Sequence, residues 1–368
     1  MEFKAAILRE GTDRMSYGTV SAEALREDEV LVRLVGAGIC HSDVTARKGL
    51  FPVPQPIILG HEGSGVVELV GAAVTKVKPG DPVVLTFAYC GACKNCMDQA
   101  PAYCLCFGAL NVVGRRMDGS TALTCEEVPV GGHFFGQSSF AQYSVAYERN
   151  VVKVRADAPL EILGPFGCGL QTGAGAVLNS LAARPGQSLV VLGAGAVGLS
   201  GAMAGVIAGC NPVIVSEPNA ARRALALELG ATHVINPTEV ADLTAEIIQL
   251  TGGGADLIFD TSGIPAVIES AIPALAPRGT IGLVGLHTLE AMVSFNLVGL
   301  ISGRNIKGIC EGDSVPDAFI PKLIDYFMEG RFAMDKMVKF YGFEDVNQAL
   351  DDQASGKEIK PILRISQP

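Results

Sequence analysis

The chain has 368 residues, 49% of them hydrophobic and 18% charged, which is enough apolar material for two cores and too much for a disordered chain. The net charge of −10 argues against a broad basic face for nucleic acid, and no apolar run of membrane-spanning length escapes interruption by Gly, Pro or charge. No basic segment leading into an apolar run opens the chain, so a cytoplasmic protein is expected, and ten cysteines in a reducing compartment point to metal ligation rather than disulfides.

The first part reads as β-rich. Short apolar strands at Val30–Leu34, Ser64–Val70 and Asp81–Thr86 are separated by Gly, Pro and Asp turns. From about Thr172 the texture changes to alternation. Strands are expected at Ser188–Leu192, Pro212–Ser216, Val234–Ile235, Leu257–Asp260 and Thr280–Val284. Helices are expected at Leu199–Ala208, Ala220–Leu229, Thr244–Leu250 and Pro265–Leu275. Such alternation predicts a parallel, doubly wound sheet, an α/β fold. Ala318–Glu329 then reads as an amphipathic helix in a final segment of mixed texture.

Cys90, Cys93, Cys96 and Cys104 lie within fifteen residues, with Gly91, Lys94 and Asn95 between them. Thiolates this close converge on one tetrahedral ion, and zinc is the usual occupant. An iron–sulfur centre and a loop of free thiols are the alternatives. A second constellation is dispersed: Cys40-His41-Ser42-Asp43, Gly60-His61-Glu62, and Cys168 in Gly164-Pro-Phe-Gly-Cys-Gly. Two Cys and one His would make a zinc site with its fourth position open, as a catalytic site requires. Each taken alone is as well explained as a buried structural residue. Cys106 and Cys125 receive no role.

Gly193-Ala-Gly195-Ala-Val197-Gly198 fits G-x-G-x-x-G between an apolar strand and an apolar helix. The first glycine permits the turn, the second lets a pyrophosphate approach the backbone, and the third lets helix and strand pack closely. Glu217 stands 19 residues after Gly198. A carboxylate there binds the ribose hydroxyls of NAD and repels a 2′-phosphate, although Arg222 and Arg223 follow closely and can hold a phosphate.

These motifs together resemble the zinc-dependent medium-chain alcohol dehydrogenases, over essentially the whole chain. The matching stretches include the four-Cys loop, Ser139-Phe-Ala-Gln-Tyr and the Gly193 loop, in family order. The resemblance implies a β-rich GroES-like catalytic domain at 1–169, a Rossmann NAD domain at 170–310 and a return to the catalytic domain at 311–368. It implies two zinc ions per chain: Cys40, His61 and Cys168 hold the catalytic one, and the four-Cys loop holds the structural one. Asp43 would hold the His61 ring, and Glu62 would lie near the metal. Ser42 would take the alcohol proton, although a helix N-cap hydroxyl is the plainer reading of a Ser before Asp. His41, Thr172, Val197, Leu286, Arg222 and Lys360 would serve the cofactor, with Lys360 on the pyrophosphate. Many members carry a His where this chain has Thr45, which cannot act as a base near neutral pH. The proton relay is then expected to end at His41 or in water.

Within the family, Phe51-Pro-Val-Pro-Gln-Pro, His133-Phe-Phe-Gly-Gln and Glu217-Pro-Asn-Ala-Ala-Arg-Arg are most similar to the aryl-alcohol and allylic terpene-alcohol enzymes. A small alcohol or aldehyde is the expected substrate, with Phe51, Phe87 and Phe140 as candidate pocket walls. A glutathione-linked formaldehyde dehydrogenase and a non-enzymatic, metal-stapled NAD-binding protein are the other readings. No nucleic-acid or membrane partner is expected. A homodimer or homotetramer is, with the sheet edge near Ile306–Cys310 as the contact.

Overall fold

The computed structural model describes every residue except Pro52, Leu286, His287, Leu289 and Pro368. The chain divides into two compact units. One comprises Met1–Cys168, Val315–Met328 and Met334–Pro368; the other comprises Gly169–Ser314 and Glu329–Ala333.

The first unit is built on two sheets. The smaller has the strand order Ile57–Ile58, Glu2–Leu8, Met15–Ala22, Leu123–Cys125 and Val128–Val130. The larger runs Val151–Lys153, Pro82–Leu85, Gly63–Val70, Glu29–Gly38, Lys360–Arg364 and Val338–Gly342, with Tyr143–Tyr147 also paired to Glu29–Gly38. Glu29–Gly38 therefore sits at the centre, which explains why it is buried along almost its whole length. A strand covered on both faces gains nothing from polar alternation. Val30, Val32 and Leu34 pack with Val67, Val83, Leu85 and Val151 beneath it. The C-terminal strand Lys360–Arg364 joins the same sheet and so brings Lys360 to the end of the central strand.

The second unit holds a six-stranded parallel sheet. Its order is His233–Ile235, Val213–Ser216, Leu189–Leu192, Ala255–Asp260, Leu275–Leu283 and Asn305–Gly308. The first strand in the chain is central and the order reverses beside it, the arrangement of a dinucleotide fold. Val190, Ile214, Ile258 and Ile281 form the core with Ile247 and Ile268 from the covering helices. Each such side chain contributes about 1.5–3 kcal/mol by leaving water. Asn219 caps the helix Ala220–Glu228 through its side chain, and Gly209 ends the helix Ala196–Ala208 in a left-handed conformation.

One expectation is corrected. The helix placed at Pro265–Leu275 stops at Ala271 and tightens into a 3₁₀ turn over Ile272–Ala274. Pro273 has no N–H for the preceding turn, and Leu275 already begins the next strand. The chain rejoins the first unit at Val315, and Glu329–Ala333 lies with the second unit. No helix among the described residues is long and apolar enough to cross a membrane.

Candidate active site

Cys40 caps the short helix His41–Arg47, and Asp43 is the third residue of that helix. One Asp43 oxygen accepts the Cys40 N–H at 2.9 Å. The other accepts the Gly60 N–H at 3.0 Å and meets His61 Nδ1 at 2.9 Å. A single buried carboxylate thus closes the helix, pins the next loop and sets the ring. With Nδ1–H donating to Asp43, a neutral His61 would have its lone pair on Nε2. That atom is buried and has no hydrogen-bond partner among the described residues. The ligand atoms of Cys40, His61 and Cys168 all lie within 4.8 Å of one another. Two thiols and an orphaned imidazole nitrogen are the donor set of an open zinc site.

The electrostatics favour a cation. A hydrogen bond from Cys168 and the positive charges of His61 and Lys360 hold the Cys40 thiol well below its ordinary range, against the effect of burial. Burial works against positive charge on His61, but Asp43 and Cys40 outweigh it and hold the ring well above the ordinary histidine range, so a metal ion would take the place of a proton on Nε2.

Lys360 has a partner that the sequence did not announce. Its ammonium lies 2.8 and 2.9 Å from the two Glu62 oxygens and 3.1 Å from the Ile39 carbonyl, and the residue is only 2% exposed. Burial opposes the charge; Glu62, with help from Cys40, holds Lys360 above the ordinary lysine range. The ammonium that the resemblance assigned to a pyrophosphate thus pairs with Glu62, the carboxylate expected near the metal.

The wall of this site is aromatic, and Phe135 was not among the candidates. Its ring stacks on His61 at 4.4 Å and 23°, with Phe134 edge-on at 5.5 Å. Phe135 holds a positive φ of 50°, rare for a bulky side chain. Contacts run on from Phe135 to Phe107 and from Phe107 to Phe87. Phe87 and Phe140 are fully buried, Phe140 against Gly60, while Phe51 is half-buried. A repeated Phe before a turn was the available signal, and its spacing says nothing about which ring meets the histidine. Ser42 is half-buried and His41 exposed. Since Cys40 is the N-cap, the Ser42 hydroxyl does not have that job. Thr45 donates to the His41 carbonyl at 2.9 Å.

The sulfurs of Cys90, Cys93, Cys96 and Cys104 likewise lie within 4.8 Å of one another. Backbone N–H groups point at them: Cys90 to Cys104 at 3.2 Å, Cys93 to Cys90 at 3.3 Å, Cys106 to Cys104 at 3.4 Å and Leu105 to Cys93 at 3.5 Å. Donors arranged this way stabilise thiolates, and four converging thiolates form a closed zinc site. The lobe packs through Cys104, Ala88 and Leu110, with Phe107 against them.

In the second unit, Gly193 turns with φ 100°, and a Cβ on Gly198 would stand 2.0 Å from the Gly193 carbonyl oxygen. Neither position tolerates a side chain without movement. A Cβ on Gly195, by contrast, would meet nothing within 4 Å, so the loop leaves room above its middle glycine at the N-terminus of a thirteen-residue helix. Val197 is half-buried in the first turn. Glu217 follows the neighbouring strand and accepts the Ala194 N–H at 2.8 Å and the Asn219 N–H at 2.9 Å. Arg223 is turned onto the Glu217 and Pro218 carbonyls, at 2.8 and 2.7 Å. Arg222 is half-buried, its N–H held by Asn219. Thr172, on the helix Gly169–Gly175, donates to Glu311 at 3.1 Å. Leu286 lies outside the described residues.

Comparison with known proteins agrees with this geometry. The alcohol dehydrogenase GroES-like domain matches residues 26–156, and the zinc-binding dehydrogenase domain matches residues 196–327. The geraniol dehydrogenase of Castellaniella defragrans is 49% identical over 362 residues, 98% of this chain and 97% of that one. The crystal structure of an alcohol dehydrogenase zinc-binding domain protein from Burkholderia ambifaria superposes with a TM-score of 0.98 at 49% identity, covering both chains fully. That of benzyl alcohol dehydrogenase from Acinetobacter calcoaceticus superposes with a TM-score of 0.96 at 40% identity, again over both full chains. The chain belongs to the zinc-dependent medium-chain alcohol dehydrogenase family.

Proposed function

We propose that the protein oxidises primary allylic or aromatic alcohols to their aldehydes, reversibly, with NAD as hydride acceptor. The observation that carries this reading is the Cys40, His61 and Cys168 cluster, with the orphaned His61 Nε2 beside the Phe135 ring. Cys40, His61 and Cys168 hold the catalytic zinc, and the loop from Gly193 to Gly198 holds the pyrophosphate. Bound there, zinc supplies Lewis acidity toward an alcohol oxygen and the nicotinamide supplies hydride acceptance. Asp43 keeps the His61 ring in register. The Ser42 hydroxyl takes the alcohol proton and passes it to the exposed His41, which replaces a relay through residue 45. Phe135, Phe87 and their neighbours exclude water and stack on an unsaturated substrate. Thr172 and Val197 set the nicotinamide. Glu217 binds the ribose hydroxyls, and with Arg223 engaged by backbone carbonyls this favours NAD over NADP.

The relatives support the substrate class: one is a dehydrogenase of geraniol, the other of benzyl alcohol. Copies of the chain pair through Asn305–Gly308, the outermost strand of the parallel sheet, beside the exposed Leu297, Val298 and Ile301. The test is a panel of geraniol, benzyl alcohol, ethanol and hydroxymethylglutathione with NAD and NADP, followed at the nicotinamide absorbance. Turnover of geraniol or benzyl alcohol with NAD, at least about tenfold better than ethanol in kcat/KM, is expected. Turnover of hydroxymethylglutathione alone, or of nothing, contradicts the proposal.

A further inference from the structure

Where the chain leaves the parallel sheet it makes three successive left-handed residues: Glu311 at φ 47°, Gly312 at 66° and Asp313 at 49°. Two of them carry side chains, so this backbone is strained and persists only because its surroundings fix it. The anchors are explicit. Gly312 and Gly175 approach so closely that a Cβ on Gly175 would lie 2.4 Å from the Gly312 carbonyl oxygen, and one on Gly312 would lie 2.4 Å from the Gln171 carbonyl oxygen. Asn179 donates to the Gly312 carbonyl at 3.2 Å, and Ser314 to the Gln171 side-chain oxygen at 2.8 Å. Asp313 accepts from Ser180 at 2.6 Å and from Lys307 at 2.9 Å. The segment Cys310–Ser314 is thus a strap across the helix Gly169–Gly175 and the turn that continues it.

The strap presents one carboxylate to that helix. Glu311 Oε2 accepts the Thr172 hydroxyl at 3.1 Å, with both residues under a tenth exposed. A helical threonine has two accessible rotamers, because its hydroxyl can also turn back onto a carbonyl of the preceding turn. An acceptor fixed by strained backbone selects one. We infer that Glu311 is a positioning residue for the nicotinamide half of the cofactor, acting by locking the Thr172 side chain; this rests on the reading of Thr172 as a nicotinamide-setting residue. It accounts for a costly backbone conformation at a glutamate, which a purely structural link through Gly312 would not need.

The test compares two ligands on the full-length, zinc-loaded protein. NADH carries the nicotinamide and ADP-ribose lacks it; both are titrated calorimetrically. In Glu311→Ala, NADH affinity falls about three- to tenfold, the worth of one hydrogen bond, while ADP-ribose affinity stays within about twofold. Thr172→Val removes the same bond from the other end without touching the strap. It shows the same selective loss, and the double variant is no worse than either single one. Glu311→Gln retains NADH affinity, because its amide oxygen still accepts. Equal losses for both ligands, no loss for either, or failure of Glu311→Gln to rescue overturns the inference while leaving the dinucleotide site standing. A parent protein that binds ADP-ribose but gains nothing from the nicotinamide removes the underlying reading of Thr172, and the inference with it.

Discussion

The two cysteine clusters use the same ligand atom to different ends. The four-thiol lobe draws its sulfurs from one stretch, Cys90 to Cys104, and surrounds them with N–H donors of its own loop. Three of its four cysteines are only partly buried. The three-ligand cluster collects residues 40, 61 and 168, and Asp43 holds two of the three segments together. Its histidine is 1% exposed and its third cysteine 9%. A local site can stiffen a chain; a dispersed one depends on the fold and is free to leave one coordination position to substrate.

Substitution should separate the two. Cys96→Ser should cost several kcal/mol of stability and open the lobe to protease, since a closed zinc site supplies folding energy directly. Cys168→Ala should leave the melting temperature within a few degrees and lower alcohol turnover by about a thousandfold or more. Thermal scans, limited proteolysis and turnover on both variants check this; a stable Cys96→Ser beside a collapsed Cys168→Ala would invert the comparison.

Asp43→Asn sharpens it next. The ring loses its charged partner but keeps its ligands, so zinc affinity or kcat/KM should fall about 10–100-fold. The effect should be confined to one of the two metal sites in a chelator competition.

A third change lies where the chain leaves the lobe. Arg116 follows it and grips buried Glu29 on the central strand at 2.6 and 2.8 Å. Burial works against the Glu29 charge, but His133 and Arg116 outweigh it and hold the carboxyl down to about 2, from 4.5. A depressed carboxyl contributes stability that is complete above its unfolded value and is lost as pH falls from about 4.5 toward 2. That contribution is on the order of 2 kcal/mol. Unfolding titrations of Glu29→Gln should show a smaller loss across that window than the parent protein; parallel profiles would exclude the tie. Smallest of all, Phe135→Leu should raise KM for benzyl alcohol about three- to tenfold while sparing ethanol, because a stacked ring contributes about 0.5–1.5 kcal/mol.

Legibility in the sequence follows the same divide. The lobe and the Gly193 loop are local, and residue type plus spacing suffices to find both. The strand–helix alternation of the second unit is periodic and is equally visible. The dispersed cluster is different: Cys40, His61 and Cys168 form only a weak pattern by themselves, and resemblance to a family is what joins them, because single cysteines and histidines carry no period. Lys360 on Glu62 joins positions 298 residues apart, and Thr172 on Glu311 joins positions 139 apart. Nothing in local composition marks either pair. The ring of Phe135 reaches His61 only through an unusual backbone conformation, which sequence spacing does not encode.

The most direct measurement is X-ray absorption at the zinc edge on the purified protein, with and without a competitor that binds metal through nitrogen. Cys40, His61 and Cys168 as one site beside the four-thiol lobe predict two zinc ions per chain and an average of about three sulfur neighbours per ion. The competitor should alter only the non-sulfur neighbours. One zinc per chain with four sulfurs, unmoved by the competitor, would contradict an open metal site at His61.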